Sequence, residues 1–550
     1  MKPTTVPTKT ERSSSSWYSR LWRWLWLHNL LIVAAIGGLV MGLTPVPVGM
    51  YGLAWVAIAP LWWVVYQRSL RPDSIVSNLR QAAALGLAWG VGYHGLALAW
   101  ITGVHPMTWM GVPWLASITI ALVCWLIITL WGAGITVVWA IAQTLILRQL
   151  QPRPWLSILW GVVLWCAIEW IWSRGVLYWS AIAYSQSPYN LLLLHLGQIS
   201  GPWTITAVLV GVNGALAYAV IAWRSPHSRP AARTYGLGAI ALLISAHLIG
   251  GWLYIQPLQD DPAAALKVGI IQGNIPNTIK LYDEGWRRAI EGYTTGYETL
   301  SEQGVDVVLT PETALPTVWT SPRHTRTSLY QAVVKQQTPI WLGAFGGEGG
   351  DIANSLFTVL GDGRTYSEYR KARLVPLGEY IPFERWLGGL INRLSPLDAR
   401  MIAGDIRPRF ETPWGLMTVG ICYESAFPQH FQQQTAQGGQ LILTASNNAH
   451  YAESMPTQHH AQDVMRAIES DRWAVRATNT GYSGIVDAHG HTLWMSDINT
   501  YELHAHTVYR RQTRTLYVRW GNWLTPVLGL GAIALSLWDL GNRTRLPFRF

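Results

Sequence analysis

Long apolar runs separated by short polar joints dominate the first 255 residues, and a different pattern then takes over. Runs of about 17 to 25 mostly apolar residues are long enough to cross a bilayer as helix. They occur at 28–44, 49–66, 83–102, 115–145, 155–172, 199–223 and 234–255, and again at 523–539. The pattern predicts a polytopic α-helical membrane domain of eight spans. The run at 115–145 has no polar position at which to divide it, so one long helix is expected there.

From Leu266 the apolar positions shorten to strand length and are bounded by turn residues. Segments 266–276, 305–316, 338–347, 354–376, 415–425, 440–448 and 474–494 each read as containing strand, with "GDG" and "AHG" as hairpin turns. Polar stretches of helical spacing, 284–302 and 456–472, lie between them. Strands buried on both faces and alternating with helices predict an α/β domain of about 250 residues. The chain thus divides into a disordered cytoplasmic tail (1–22), a membrane domain of seven helices (23–255), a catalytic domain (256–520), and a last span with its cytoplasmic tail (521–550).

Composition agrees with a membrane protein: of 550 residues, 50% are hydrophobic, only 13% are charged, and 33 are Trp. The net charge of +10 does not mark a nucleic-acid surface, because the arginines stand at the ends of apolar runs. Arg20 and Arg23 precede the first span, Arg68, Arg71 and Arg80 follow the second, Arg148 and Arg153 the fourth, Arg224, Arg229 and Arg233 the sixth, and Arg543 and Arg545 the last. The alternate joints carry only Arg174, so both termini are expected in the cytoplasm and 256–520 outside it. No small-x-small cleavage site follows the first apolar run, which reads as a retained anchor. Glu169, inside the fifth run, is either a structural hydrogen-bonding group or an intramembrane functional acid.

Three residues of the polar segment stand where α/β folds put chemistry, at strand C-termini: Glu312 after "VVLTP", Lys371 after "TYSEYR" and Cys422 after "MTVGI". Each has a plainer reading, as a solvated acid, a surface lysine and an inert core thiol. The chain has only six lysines, and Tyr423 and Glu424 end the apolar pattern at the thiol. A carboxylate can take the thiol proton during attack, and an ammonium can stabilise the thiolate and then an oxyanion. Such a set performs acyl transfer without histidine, and a lowering of the thiol pKa by roughly 1.5, worth about 2 kcal/mol, is within reach of one well-placed ammonium. Cys124 and Cys166 fall in apolar runs, and no metal-binding spacing supports His450, His459 and His460 as ligands.

"LTPETALP", "YRKARLVPLGEYIP" and "GICYES" resemble the three catalytic motifs of the nitrilase (carbon–nitrogen hydrolase) superfamily. With "QGNIP", "ASNNAHY", "RATNTGYSGIVDAHG" and "LYVRWGNW", nearly the whole chain resembles that superfamily's membrane-embedded branch, the apolipoprotein N-acyltransferases. The resemblance implies an αββα sandwich for the α/β domain, with Glu312 as general base, Lys371 as transition-state stabiliser and Cys422 as nucleophile. It implies a site-lining role for Glu379 and roles beside the nucleophile for Tyr423 and Glu424, with no cofactor or metal. The implied reaction is ping-pong transfer of an acyl chain from a phospholipid, typically phosphatidylethanolamine, to a diacylglyceryl-apolipoprotein, by a monomer in a bacterial inner membrane. Leu281 and His450 stand where relatives often have Trp, which bears on acyl preference and gating. The stretch 379–405, with Phe383, Trp386, Leu387 and Leu390 on one side, is either a lid dipping into the membrane surface or a helix on its own domain. An anchored amidase using water as acceptor and a non-enzymatic lipoprotein-binding protein are the competing readings.

Overall fold

The computed structural model describes residues 28–348, 350–380 and 400–545. The expected tail at 1–22 lies outside these residues, as do the lid positions Phe383, Trp386, Leu387 and Leu390. Among the described residues five helices are long and apolar enough to cross a membrane by length and composition: Trp114–Gln149, Pro154–Trp172, Pro202–Trp223, Pro226–Tyr254 and Leu524–Arg543. The unbroken 114–149 helix matches the single long run. The other expected spans fall on His28–Gly42, on Ala54–Ala57 followed by Ala59–Ser69, and on Ile75–Ala97. Ile75–Ala97 begins eight residues before the run read from sequence, because Ser74 caps it through the Ser77 N–H at 3.3 Å and its first two turns are polar.

Small residues bring these helices together, as in other membrane bundles. A Cβ on Gly38 would stand 1.9 Å from the Trp89 carbonyl oxygen, and one on Gly92 2.7 Å from that of Ala35. Buried polar groups are satisfied between helices: Asn213 accepts from the Ile58 and Ala59 N–H groups at 2.9 and 2.8 Å. Glu169 accepts from Ile182 N–H at 3.0 Å and the Thr206 hydroxyl at 2.8 Å, which is the structural reading of that acid.

The α/β part holds two sheets. Strands β1 (Ala265–Gln272), β2 (Val307–Leu309), β3 (Leu315–Val318), β4 (Ile340–Glu348), β5 (Asp351–Val359) and β6 (Thr365–Arg370) build the first, with β1, β2 and β4 parallel. The second follows as β7 (Phe410–Thr412), β8 (Gly415–Ile421), β9 (Ile442–Ser446), β10 (Ala474–Thr478), β11 (Gly484–Val486) and β12 (Thr492–Met495), in the order 12-11-10-9-8-7. The last strand, β13 (Glu502–Tyr509), returns to the first sheet antiparallel to β1. β7 and β13 were absent from the sequence expectation, and β3 lies only half within the expected segment 305–316. The hairpin turns lie where "GDG" and "AHG" put them, with Gly363 and Gly490 at positive φ.

The sheets face each other across Val268, Leu309, Trp341, Val419, Leu443 and Val475. Helices Asp283–Glu302 and Ser328–Gln336 cover the outside of the first sheet through Tyr293, Leu300, Leu329 and Val333. Helices Pro428–Ala436 and Ser454–Ser470 cover the second, and their core, with Phe431, Met465 and Ile468, is continuous with Tyr184, Leu193 and Trp203 of the helical part. The order helix, sheet, sheet, helix therefore ends on the apolar bundle. A tight approach leaves no room for a larger residue at Gly38, so Gly38→Val should destabilise the detergent-solubilised protein by roughly 1–3 kcal/mol or more. Gly236→Ala, into open space, should leave its thermal unfolding unchanged or raised.

Candidate active site

Glu312, Lys371 and Cys422, read separately from the sequence, stand together at the ends of β2, β6 and β8, and all three are buried. The Glu312 loop crosses β4 so closely that a Cβ on Gly343 would lie 1.9 Å from the Pro311 carbonyl oxygen, so glycine is required there. The Lys371 main chain is fixed on both sides, its N–H donating to Asn354 O and its carbonyl accepting from Gly404 N–H, each at 2.8 Å.

The Lys371 ammonium is shared by two carboxylates: Nζ lies 3.0 Å from Glu312 Oε1 and 2.9 Å from Glu379 Oε1. Asn354 Nδ2 donates to the same two oxygens, at 2.6 and 3.0 Å. The other Glu379 oxygen accepts from Val375 N–H at 2.8 Å, which folds the 375–379 loop back onto the site. Burial pushes the Glu312 carboxyl up, but Lys371, Lys280 and the Asn354 amide more than offset this and hold it below the usual carboxylate range. Lys371 loses hydration on burial, yet Glu312 and Glu379 hold it well above its ordinary value.

Cys422 behaves differently from the sequence expectation. Burial, and after it the Glu312 charge, pushes its thiol up to about 12 against the pull of Lys371. Lys371 is already committed to two carboxylates, so it does not supply a resting thiolate. Cys422 is a thiol at rest, and attack by its sulfur would need a base to take the proton.

The turn that carries Cys422 is held in an unfavourable shape. Cys422 has φ +51°, a left-handed conformation costing a β-carbon residue roughly 1 kcal/mol or more. His459 braces it, with Nε2 2.8 Å from the Cys422 carbonyl oxygen and Nδ1 3.2 Å from Asn448 Nδ2. Burial and the nearby Arg476 hold His459 well below its ordinary value, so the imidazole is neutral, donating from Nε2 and accepting at Nδ1. His460 bonds Thr492 Oγ1 at 2.8 Å. Arg476 joins the layers, binding Asp463, Ser446 Oγ and the His459 carbonyl.

Glu424, fully buried, fastens the nucleophile turn to the lysine loop. Oε2 accepts from Ile421 N–H at 2.7 Å and the Tyr369 hydroxyl at 2.5 Å; Oε1 accepts from Ala372 and Arg373 N–H at 2.7 and 3.0 Å. Tyr423 points the other way, into the helical part. Its hydroxyl donates to Val176 O and accepts from Tyr178 N–H, both at 2.9 Å, and its ring stacks on Trp179 at 6.3 Å. Tyr184 donates to Ala426 O at 3.1 Å, and Gln429 to Ser173 Oγ at 2.5 Å. The 173–187 loop is therefore bonded directly to the nucleophile turn.

His450 stacks on Trp109 of the helical part at 6.4 Å, and Leu281 ends the short helix Asn277–Lys280. Sequence reasoning missed Asn354, the bracing role of His459, and Lys280, whose Nζ donates to the Glu312 carbonyl oxygen at 3.0 Å. The one available signal was lysine scarcity, which was applied to Lys371 but not to Lys280.

A buried Glu–Lys–Cys set on strand ends of a two-sheet sandwich defines the carbon–nitrogen hydrolase class, and the carbon-nitrogen hydrolase family model matches residues 267–499. The model for the apolipoprotein N-acyltransferase N-terminal domain matches residues 37–215. An apolipoprotein N-acyltransferase of Nostoc sp. is 53% identical over 501 residues, 90% of this chain and 97% of that one. One from Synechocystis sp. is 47% identical over 502 residues, 89% and 96% of the two chains. An amidase structure from Nesterenkonia sp. is 18% identical, covering 48% of this chain and 95% of that one, with a TM-score of 0.36. The chain belongs to the apolipoprotein N-acyltransferase family.

Each hydrogen bond to a buried carboxylate is worth about 1.5–3 kcal/mol, so Glu424→Ala should lower stability by about 3 kcal/mol or more and abolish modification of Cys422 by acyl donors. Thermal unfolding in detergent and intact-protein mass spectrometry check the two effects.

Proposed function

We propose that the chain catalyses ping-pong transfer of an acyl chain from a phospholipid, through a thioester on Cys422, to the N-terminal amine of diacylglyceryl-cysteine lipoproteins. The observation that carries this reading is the bonding of the Cys422 turn, through Tyr423, to a loop between two apolar helices. A hydrolase of soluble amides has no use for a nucleophile fastened to a membrane bundle, whereas a lipid donor arrives from that side.

In the first half-reaction the Cys422 Sγ attacks the ester carbonyl carbon as its proton passes to Glu312. Lys371 stabilises the oxyanion, and collapse expels the lysophospholipid alkoxide, which recovers the proton from Glu312. Protonation of Glu312 removes the charge that opposes the thiolate and frees Lys371 to stabilise the sulfur and then the oxyanion. In the second half-reaction the lipoprotein amine attacks the thioester carbonyl, gives its proton to Glu312, and forms an amide as the carbon–sulfur bond breaks and Sγ is reprotonated. Glu379 keeps Lys371 in register, and Glu424 keeps the lysine loop on the nucleophile turn.

The donor is read as phosphatidylethanolamine and the working unit as a monomer, since Glu312, Lys371, Glu379 and Cys422 all come from one chain. The membrane part is read as eight spans, seven within 23–255 and one in 521–550, with 1–22 a cytoplasmic tail and 256–520 a catalytic domain on the extracytoplasmic side of a bacterial inner membrane. The arginines at one end of the bundle support this orientation: Arg148 donates to Arg71 O at 2.9 Å, and Arg153 and Arg543 both pair with Asp539, at 2.9 and 2.6 Å. The sandwich is bonded to the bundle through a different joint, the 173–187 loop. Leu281 and His450, in place of Trp, are read as tuning acyl preference and gating.

Purified protein given a phospholipid with a labelled acyl chain should gain the label on Cys422 as a hydroxylamine-sensitive adduct, and Cys422→Ala should gain none. Glu312→Gln should slow labelling by roughly 100-fold or more. Labelling of Cys422→Ala equal to the unmodified protein would exclude the mechanism.

A further inference from the structure

Lys280 is 3% exposed, and among the described residues its ammonium makes one hydrogen bond, to the main-chain oxygen of the base Glu312. It ends a short helix drawn into the site by the Asn277 side chain, which accepts from Asn447 Nδ2 at 3.0 Å. Asn447 in turn is bonded to Asn479 at 3.1 Å, and its main-chain oxygen lies 3.8 Å from Cys422 Sγ. The lysine is thus built into the layer that surrounds the nucleophile.

The charges of the site need it. Glu312 and Glu379 present one oxygen each to the same ammonium and the same amide. Two carboxylates sharing one site do not both ionise readily, and one ammonium balances only one of them. With Lys280 counted, two carboxylates face two ammonium groups, and the base is free to stay ionised.

We propose that Lys280 is a positioning residue of the acyl-transfer site, its buried ammonium holding the Glu312 main chain and supplying the second positive charge that keeps Glu312 in its base form beside Glu379. This rests on the acyl-transfer reading only for the identity of the reaction it serves. Burial pushes Lys280 down to about 8, against the pull of Glu312 and Cys422, so it still carries its charge at neutral pH. The titratable and charged groups acting on Glu312 or sharing its partners are Lys371, Lys280, Glu379, Cys422, His450 and Tyr451, whose phenol is pushed up by burial and stays neutral. His450 is exposed at the rim of the site. The protein around its ring, and after it the Lys280 charge, hold its imidazole below the ordinary value, and the second of these is lost in the neutral variants.

The test is the pH dependence of acyl-Cys422 formation by the full-length protein with labelled phosphatidylethanolamine, read by mass spectrometry. Lys280→Met and Lys280→Gln should move the acidic midpoint up by about one pH unit, so that labelling falls about tenfold more at the low-pH side than on the plateau. Lys280→Arg should keep the midpoint. Lys280→Gln retains a donor to the Glu312 carbonyl and carries the test if Lys280→Met fails to fold. An unmoved midpoint in the neutral variants, whatever their loss of rate, would reduce Lys280 to a packing residue. Alkylation of Cys422 by iodoacetamide needs no lipid, and its alkaline rise should shift to higher pH in the neutral variants. Shifted alkylation in a protein that accepts no acyl chain would contradict the acyl-transfer reading and leave Lys280 its role; normal acylation with coincident profiles would contradict Lys280 alone.

Discussion

One buried ammonium gripped by two carboxylates is the constraint on which the rest of the site depends. Lys371 cannot leave water unless Glu312 and Glu379 meet it, and neither carboxylate can be buried without it. The strand ends that deliver these groups, the amide of Asn354 that bridges them, and the Glu424 bonds that fasten the lysine loop to the nucleophile turn all serve that meeting. The consequence for chemistry is a resting thiol. Lys371 spends its charge on the carboxylates, and in the proposed mechanism Cys422 becomes nucleophilic only as Glu312 takes its proton. A site held in this state does not expose a permanently reactive thiolate to water or oxidants between turnovers.

The same turn is held from two sides. Glu424 faces the sandwich and Tyr423 faces the helices, so two neighbouring residues fix the cysteine between the α/β core and the 173–187 loop. The helical layer of the second sheet continues this contact into one apolar core with the bundle. The left-handed backbone of Cys422 is tolerated because His459, Glu424 and Tyr423 over-determine it.

Much of this was legible in the sequence because hydrophobic period and strand-end chemistry are local signals. The 115–145 run had no polar break and became one helix, and Glu312 and Cys422 followed apolar strands while Lys371 followed the polar hairpin strand 365–370. β13 escaped because its alternation is blurred by His504 and His506, which pack beside Trp494 and Trp473 at the sheet edge. The start of the 75–97 helix escaped because a polar amphipathic turn precedes the apolar part. Lys280, Asn354 and His459 were not legible as site residues, since their roles arise from long-range contacts to Glu312 and Cys422. The thiol pKa moves the other way because the sequence shows an ammonium but neither the burial of the thiol nor the closeness of the Glu312 charge, which together outweigh Lys371.

The central claim is that the acyl chain waits on Cys422 and leaves only for an amine. Protein loaded with a labelled acyl chain, freed of donor lipid and then given a diacylglyceryl-cysteine peptide, tests this directly by following where the label goes. The account predicts that the label leaves Cys422 and appears as an amide on the peptide N-terminus, with little release in the absence of peptide. Equal release as free fatty acid with and without the peptide, and no amide formed, would contradict it.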